Sequence, residues 1–182
     1  MDNGASSYRR FLDGDESAFD EIIKELFHSL VFFIEGYVHD IHAAEDIAID
    51  VFSDLIVHKH RYNFKVALKT YLFMIGRSRA LDYLKHRRII DFVELSEAQS
   101  VPDEKSLEEI VLTDAKKRAV NAAVGKLPKD MRAVIHLVYF AEMTYDEAAR
   151  VMKKNRKQVD NLLYRAKKEL RIILGEDGEL LL

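Results

Sequence analysis

The 182-residue chain contains no cysteine and no tryptophan, and only two prolines and seven glycines. Without cysteine there can be no disulfide, no iron–sulfur ligation and no thiolate zinc site, which fits a reducing cytoplasm. So few prolines and glycines leave long helices uninterrupted and supply little turn chemistry for many-stranded sheets. No apolar run is longer than Leu30 to Ile34, far short of the ~20 residues that span a bilayer. The opening MDNGASSYRRF has no apolar stretch after its charges, so no signal peptide is expected. Hydrophobic residues make up 48% of the chain, enough for a packed core and too many for global disorder. An intracellular, all-α protein without membrane insertion is expected.

The net charge of −3 is unremarkable until it is divided along the chain. Val57 to Arg88 carries nine Lys/Arg and one Asp, and Arg150 to Arg171 carries nine against one Asp and one Glu. These two islands hold +8 and +7, so the remainder holds about −18. Two separated cationic islands suit a polyanion gripped at two places, with the acidic remainder free for a basic partner.

Helical periodicity runs through most of the chain. Ser17 or Asp15 can cap a helix whose stripe is Phe19, Ile22, Ile23, Leu26, Phe27, Leu30, Ile34, Tyr37 and Val38. After the polar break at 39–42, a second helix from about Ala43 to Val57 buries Ile47, Val51, Leu55 and Ala48, Phe52, Ile56. It turns Glu45, Asp46, Ile49, Asp50, Ser53 and Asp54 outward. A polar connector dotted with aromatics precedes a third helix, from about Ala67 to Arg88. Residues 91–112 are acidic, contain Pro102 and read as a partly extended linker, with a capping box at Ser106 and Glu109. A second domain, 113–182, should contain helices from about Thr113 to Val124 and from Lys129 to Ala141, and a frayed tail after Gly175.

Within that second domain lies the most informative segment, Thr144 to Arg171. Thr144 and Glu147 have capping-box spacing, Ala148, Ala149 and Met152 face inward, and Lys153-Lys154-Asn155 breaks the pattern. Val159, Leu163, Ala166, Leu170 and Ile173 then resume it, leaving Arg156, Lys157, Asn161, Arg165 and Lys168 on the opposite face. This is a helix-turn-helix with a cationic, amide-bearing second helix, suited to phosphate positioning and base readout in a major groove.

Taken in order, these segments resemble the extracytoplasmic-function group of bacterial RNA polymerase sigma factors, of the sigma-70 family. Ser17-Ala18-Phe19-Asp20-Glu21 resembles the group's first helix, and Ala44-Glu45-Asp46-Ile47-Ala48-Ile49-Asp50-Val51-Phe52 its polymerase-docking segment. Phe64, Ala67 to Leu72 and Ile75 to Asp82 resemble the block that opens and holds the −10 promoter element. Leu127-Pro128 and the helix-turn-helix resemble the domain that reads the −35 element.

The resemblance implies a domain over 1–90, joined by the linker to 113–182, and several sets of contacts. Asp46, Asp50, Ser53 and Asp54 would bind core RNA polymerase. Arg61, Tyr62, Phe64, Lys69, Tyr71, Arg77, Ser78, Arg79, Arg87 and Arg88 would hold −10 single strand and backbone. Arg156, Lys157, Asp160, Asn161, Arg165 and Lys168 would meet the −35 duplex. Promoter DNA, core polymerase and an anti-sigma factor are the implied partners, with no cofactor, no metal and no catalytic residue. Linker acids such as Asp103 and Glu104 would mimic a nucleic-acid backbone. Lys153 stands where the group often has Gly, Ser78 where Asn is common, Tyr71 where Trp is frequent, and Asp160 where a basic residue is usual. The competing class is a stand-alone helix-turn-helix regulator of duplex operators, which needs neither the aromatic–basic connector nor the acidic docking row.

Overall fold

A computed structural model describes residues 4–94 and 115–175. Helices α1 (Ala5–Leu12), α2 (Ser17–Val38), α3 (Ile41–Val57) and α4 (Leu68–Glu94) form the first half, with a 3-10 turn at Lys59–Arg61. The second half holds α5 (Ala115–Gly125), α6 (Lys129–Ile135), a π turn at His136–Phe140, α7 (Tyr145–Met152) and α8 (Arg156–Leu174). The described residues are all-α, as the composition implies, and include no strand.

Helix α1 is absent from the sequence reading because eight residues with two apolar anchors make no stripe. Both anchors, Tyr8 and Phe11, are nevertheless buried. The Tyr8 hydroxyl donates to the carbonyls of Leu55 at 3.1 Å and Lys59 at 2.8 Å, pinning the amino terminus to the end of α3. Burial pushes the Tyr8 hydroxyl pKa up to about 12, so it remains a donor at any physiological pH. Helix α3 starts earlier than expected because Asp40 caps it, its carboxylate accepting from the Ala43 N–H at 3.0 Å. Ile56, expected in the core, is 41% exposed: it falls on the outward side, beside Ile49.

Helix α4 passes the expected boundary at residue 90, since no glycine or proline stands between Gly76 and Pro102 to stop it. Gly76 itself permits the close approach of α2, because a Cβ there would meet Leu30 Cδ1 at 2.9 Å. Pro102, Asp103, Glu104, the Ser106–Glu109 capping box and the tail after Gly175 lie outside the described residues.

In the second half, the helix expected from Lys129 to Ala141 is α-helical only to Ile135. It then widens, with the Ala141 N–H donating to His136 O at 2.9 Å. The expected capping box is present: the Thr144 hydroxyl accepts from the Glu147 N–H at 3.3 Å and Glu147 accepts from the Thr144 N–H at 2.9 Å. A second box, unforeseen, joins Asn155 and Gln158 at the start of α8. Lys153 takes the left-handed conformation between the two helices (φ 53°), at a cost of about 1 kcal/mol that glycine would avoid. Val159, Leu163, Ala166 and Leu170 bury the inner face of α8.

The two halves pack on each other, α4 against α7 and α2 against α6 and the π turn. His136 lies half-buried at this junction. Its ring lies near Phe33 (centroids 5.8 Å) and Phe73 (6.4 Å) and stacks on Phe140 (5.5 Å). Its Nε2 lies 2.9 Å from the Ser29 carbonyl and must carry the proton, because a carbonyl only accepts. Enclosure depresses its pKa to about 4, only partly opposed by that hydrogen bond, so the imidazole is neutral at pH 7. Around it, Arg132 reaches His39 at 3.2 Å, Lys129 lies over the Tyr37 ring at 4.7 Å, and Thr70, fully buried, donates to Glu147 at 3.3 Å.

Candidate nucleic-acid and polymerase interfaces

The helix-turn-helix presents its second helix to solvent. Arg156, Lys157, Asp160, Asn161, Arg165 and Lys168 are all exposed on α8, opposite the buried Val159–Leu163–Ala166–Leu170 row. Arg156 is paired with Asp146 at 3.1 Å, between two exposed side chains. Such a pair yields readily to a phosphate. Asp160 sits within the cationic face, where it would repel a phosphate and accept from a cytosine amino group. Tyr164, three residues beyond Asn161, is 73% exposed on the same helix.

The first half is arranged differently. Arg61, Tyr71, Ser78 and Arg79 line one cleft of about 470 Å³, floored by Leu55, Met74 and Ile75. The opposite wall comes from the second half: Arg150, Val151 and Lys153. The cleft is strongly cationic with an apolar floor, and Asp54 is its acidic lining group.

Tyr62, Phe64, Lys69 and Arg77, also expected on the −10 surface, are engaged within the protein. Tyr62 is buried, a correction to its reading as a stacking platform. Its hydroxyl donates to Val66 O at 2.6 Å, and its ring packs on Phe64 (4.6 Å) and Tyr71 (5.1 Å). Phe64 is half-buried in the left-handed conformation (φ 59°), with the Arg9 guanidinium 4.9 Å above its ring. Lys69 donates to the Ala141 carbonyl at 2.6 Å, a bond that crosses between the halves. Arg77 is half-buried beside Tyr37. Arg87 and Arg88 are exposed near the end of α4.

On α3, Asp46, Asp50 and Ser53 face solvent, and Asp54 is turned toward α4. Asp50 and Asp54 both bind Arg79: Nη1 lies 3.3 Å from Asp50, and Nη2 makes a short bond to Asp54. The Asp54 carboxyl also meets His58 Nδ1 at 3.2 Å. Desolvation opposes ionisation, yet Arg79, His58 and Arg61 together hold its pKa below the usual carboxylate value. Ile49 (52% exposed) and Val57 (73%) share this face with the acids. Among the described residues, no group of three or more His, Asp or Glu is placed to hold a metal.

Residues 22–89 match the family described as "Sigma-70 region 2", and residues 117–170 match "Sigma-70, region 4". Together they cover most of the chain, in the order the sequence motifs imply. The chain belongs to the extracytoplasmic-function group of the sigma-70 family. It is thus a sigma factor that directs RNA polymerase to promoters, and the reading as a stand-alone operator-binding regulator is not favoured.

This sigma factor is 25% identical over 162 residues to the "ECF RNA polymerase sigma factor SigM" of Bacillus subtilis, covering 85% of this chain and 93% of that one. It is 26% identical over 166 residues to the "RNA polymerase sigma-H factor" of Pseudomonas aeruginosa, covering 86% of each. Its fold is similar to that of the sigma factor RpoE solved with the anti-sigma factor NepR from Bartonella quintana. That comparison has a TM-score of 0.67 at 20% identity, over 87% of this chain and 98% of that one. A second structure, CnrH with the cytosolic domain of CnrY, has a TM-score of 0.62 at 21% identity, over 96% of each chain.

Sequence reasoning missed two features of the sigma factor's surface. Arg150 was read only as part of a basic island and Lys153 as a residue of the turn, since nothing in the sequence places them across a cleft from Tyr71. Val57 was read as the end of a helix, although its position one turn beyond Ser53 puts it on the acidic row's face. No helix among the described residues is long and apolar enough to cross a membrane.

Proposed function

We propose that region 4 reads the −35 duplex through Arg156, Lys157, Asp160, Asn161, Arg165 and Lys168. The observation that carries this is the bare polar face of α8, which begins at a doubly hydrogen-bonded cap and has its inner face buried. A helix held in this way can enter a major groove with its positive end toward phosphate. Arg61, Tyr71, Ser78, Arg79, Arg87 and Arg88 hold the −10 strand, with Tyr71 and the apolar cleft floor offering a stacking surface for unpaired bases. Asp46, Asp50 and Ser53, interleaved with Ile49 and Val57, dock a helix of core polymerase that is both basic and apolar. An acid-only face would serve solubility; exposed isoleucine and valine between the acids favour a partner.

The sigma factor works in the cytoplasm, contributes no bond-making residue and leaves RNA synthesis to polymerase. An anti-sigma factor regulates it by binding, in keeping with the complex of the similar RpoE with the anti-sigma factor NepR. The test is to combine the protein with core polymerase and genomic DNA and map the transcripts. Start sites sharing two elements at fixed spacing support the assignment; duplex binding without defined starts contradicts it.

A further inference from the structure

Where α2, α4 and α6 meet at the junction between the halves, basic side chains from both sides gather with little to neutralise them. Lys129, at the start of α6, has its Nζ 4.7 Å from the centre of the Tyr37 ring. Burial lowers the Lys129 pKa; Asp130 opposes this, while Arg77 and Arg88 of α4 add to it, so both arginines lie within electrostatic reach. Asp130 is itself bound by Lys154 at 3.0 Å. Packing the halves together therefore sets the like charges of α4 and α6 against each other, at a cost that an anion between them would remove.

Tyr37 points to the same place independently. It is 3% exposed, and its hydroxyl is sealed from solvent without a hydrogen-bond partner, as is Nε of Arg77. Arg77 lies near the hydroxyl and favours its ionised form, but burial outweighs this and raises the Tyr37 pKa, so the phenol keeps its proton. A guanidinium only donates, so Arg77 gives the phenolic hydrogen no acceptor. Two neighbouring buried donors are left without one. Buried polar groups are nearly always satisfied, and an orphaned set marks a place for an ion or a water. Beside Lys129 and Arg88, the ion of matching sign is an anion.

We propose that Arg77, Arg88 and Lys129, together with the Tyr37 hydroxyl, form a site for a multiply charged phosphate anion that bridges the two halves and holds them closed. The site is independent of the promoter assignments, except that it shares Arg88 with the −10 surface. Guanidinium binds phosphate as a fork and ammonium binds it as a point charge, and several cations plus a hydroxyl call for several acceptor oxygens. Arg77 and Arg88 belong to region 2 and Lys129 to region 4, so an anion held by all three favours the packed arrangement over the parted one by mass action.

The probe is inorganic pyrophosphate, titrated calorimetrically into the full-length protein at neutral pH and fixed ionic strength, with melting and small-angle scattering followed in parallel. The parent should bind it saturably, melt at a higher temperature and become more compact. Lys129→Gln and Arg77→Gln should each weaken binding at least about tenfold, the loss of a hydrogen bond to a charged partner. Arg88→Gln should cost about threefold; because Arg88 is exposed, it tests the site even where Arg77→Gln disturbs packing. Tyr37→Phe should also cost about threefold, yet leave the anion-free protein melting no lower, since its hydroxyl has no partner to lose. Lys24→Gln removes the same charge from the exposed side of α2, about 20 Å along the helix from Tyr37, and should stay within about twofold of the parent.

Equal weakening by Lys24→Gln and Lys129→Gln would reduce the effect to general charge screening and overturn the site. So would the lack of saturable binding by the parent, or a scattering profile that pyrophosphate leaves unchanged. A single-stranded oligonucleotide separates the two sources of phosphate. If it displaces pyrophosphate and also loses about tenfold with Lys129→Gln, the site belongs to the DNA backbone and the small-anion assignment fails.

Discussion

Helix α8 and the α4 surface both carry the cations expected of a DNA contact, but they are presented in opposite ways. Along α8 the polar face is bare, and the one internal pair, Arg156 with Asp146, is fully at the surface. Along α4, Lys69 is bonded to Ala141 O and Arg79 to Asp50 and Asp54, while the connector's Tyr62 is buried and its Phe64 half-buried. Helix α7 forms the far wall of the same groove. The difference follows from what each ligand requires. Duplex DNA offers a fixed groove that a rigid exposed helix can enter, whereas unpaired bases exist only after melting. A surface for melted strand has no ligand until polymerase is present, and here Lys69 and Arg79 are bonded within the protein.

The strongest way to break this comparison is at the docking face. Reversing charge at both Asp46 and Asp50 to Lys should cost about 3 kcal/mol of core association, roughly a hundredfold, with transcription falling in parallel. Co-sedimentation with core and run-off transcription measure both; survival of both unchanged would remove the assignment of α3.

Acidification probes the closed junction. The His136 pKa lies near 4 when enclosed, against about 6.5 in water. The parted state therefore binds a proton that the closed state refuses. Closure is fully favoured above pH 6.5 and weakens as pH falls toward 4, by at most ~3 kcal/mol. His39, depressed by burial and by Arg132 and Lys129, acts in the same direction. Glu35, raised by burial, acts in the opposite one at more acidic pH. Small-angle scattering should show expansion over this range, and His136→Gln, which keeps an N–H for Ser29 O but does not titrate, should blunt it.

On α8, Asn161→Ala or Arg165→Ala should cost about 1–3 kcal/mol of −35 duplex affinity and relax base preference at one position. Lys168→Ala should instead weaken all sequences alike and lower the salt slope by about 0.9. Quantitative duplex titrations at several salt concentrations separate the two behaviours. The smallest effect is conformational: Lys153→Gly should raise stability by about 0.5–1 kcal/mol, read from thermal melting, by relieving the left-handed backbone.

Much of this architecture was legible because local chemistry and tertiary packing agree. The spacing of Thr144 and Glu147 alone announces a cap, and the cap is there. The inner row of α8 was readable for the same reason, since Val159, Leu163, Ala166 and Leu170 repeat at helical spacing. What escaped depends on contacts remote in sequence. Tyr62 looks like a stacking platform beside Arg61, until Tyr8 from α1 and Tyr71 from α4 enclose it. Arg79 reads as a free cation, because its partners stand 25 and 29 residues earlier on another helix. Periodicity reports which face of a helix is buried; it does not report which charges across a groove will find each other.

The asymmetry between the two surfaces is tested most directly with two oligonucleotides taken from a mapped start site, a −35 duplex and a −10 single strand. Titrated with the protein alone, the duplex should bind measurably at low salt and the single strand at least about tenfold more weakly than it binds with core polymerase present. Equal binding of the single strand with and without polymerase would contradict the account, because the α4 surface would then be open from the start.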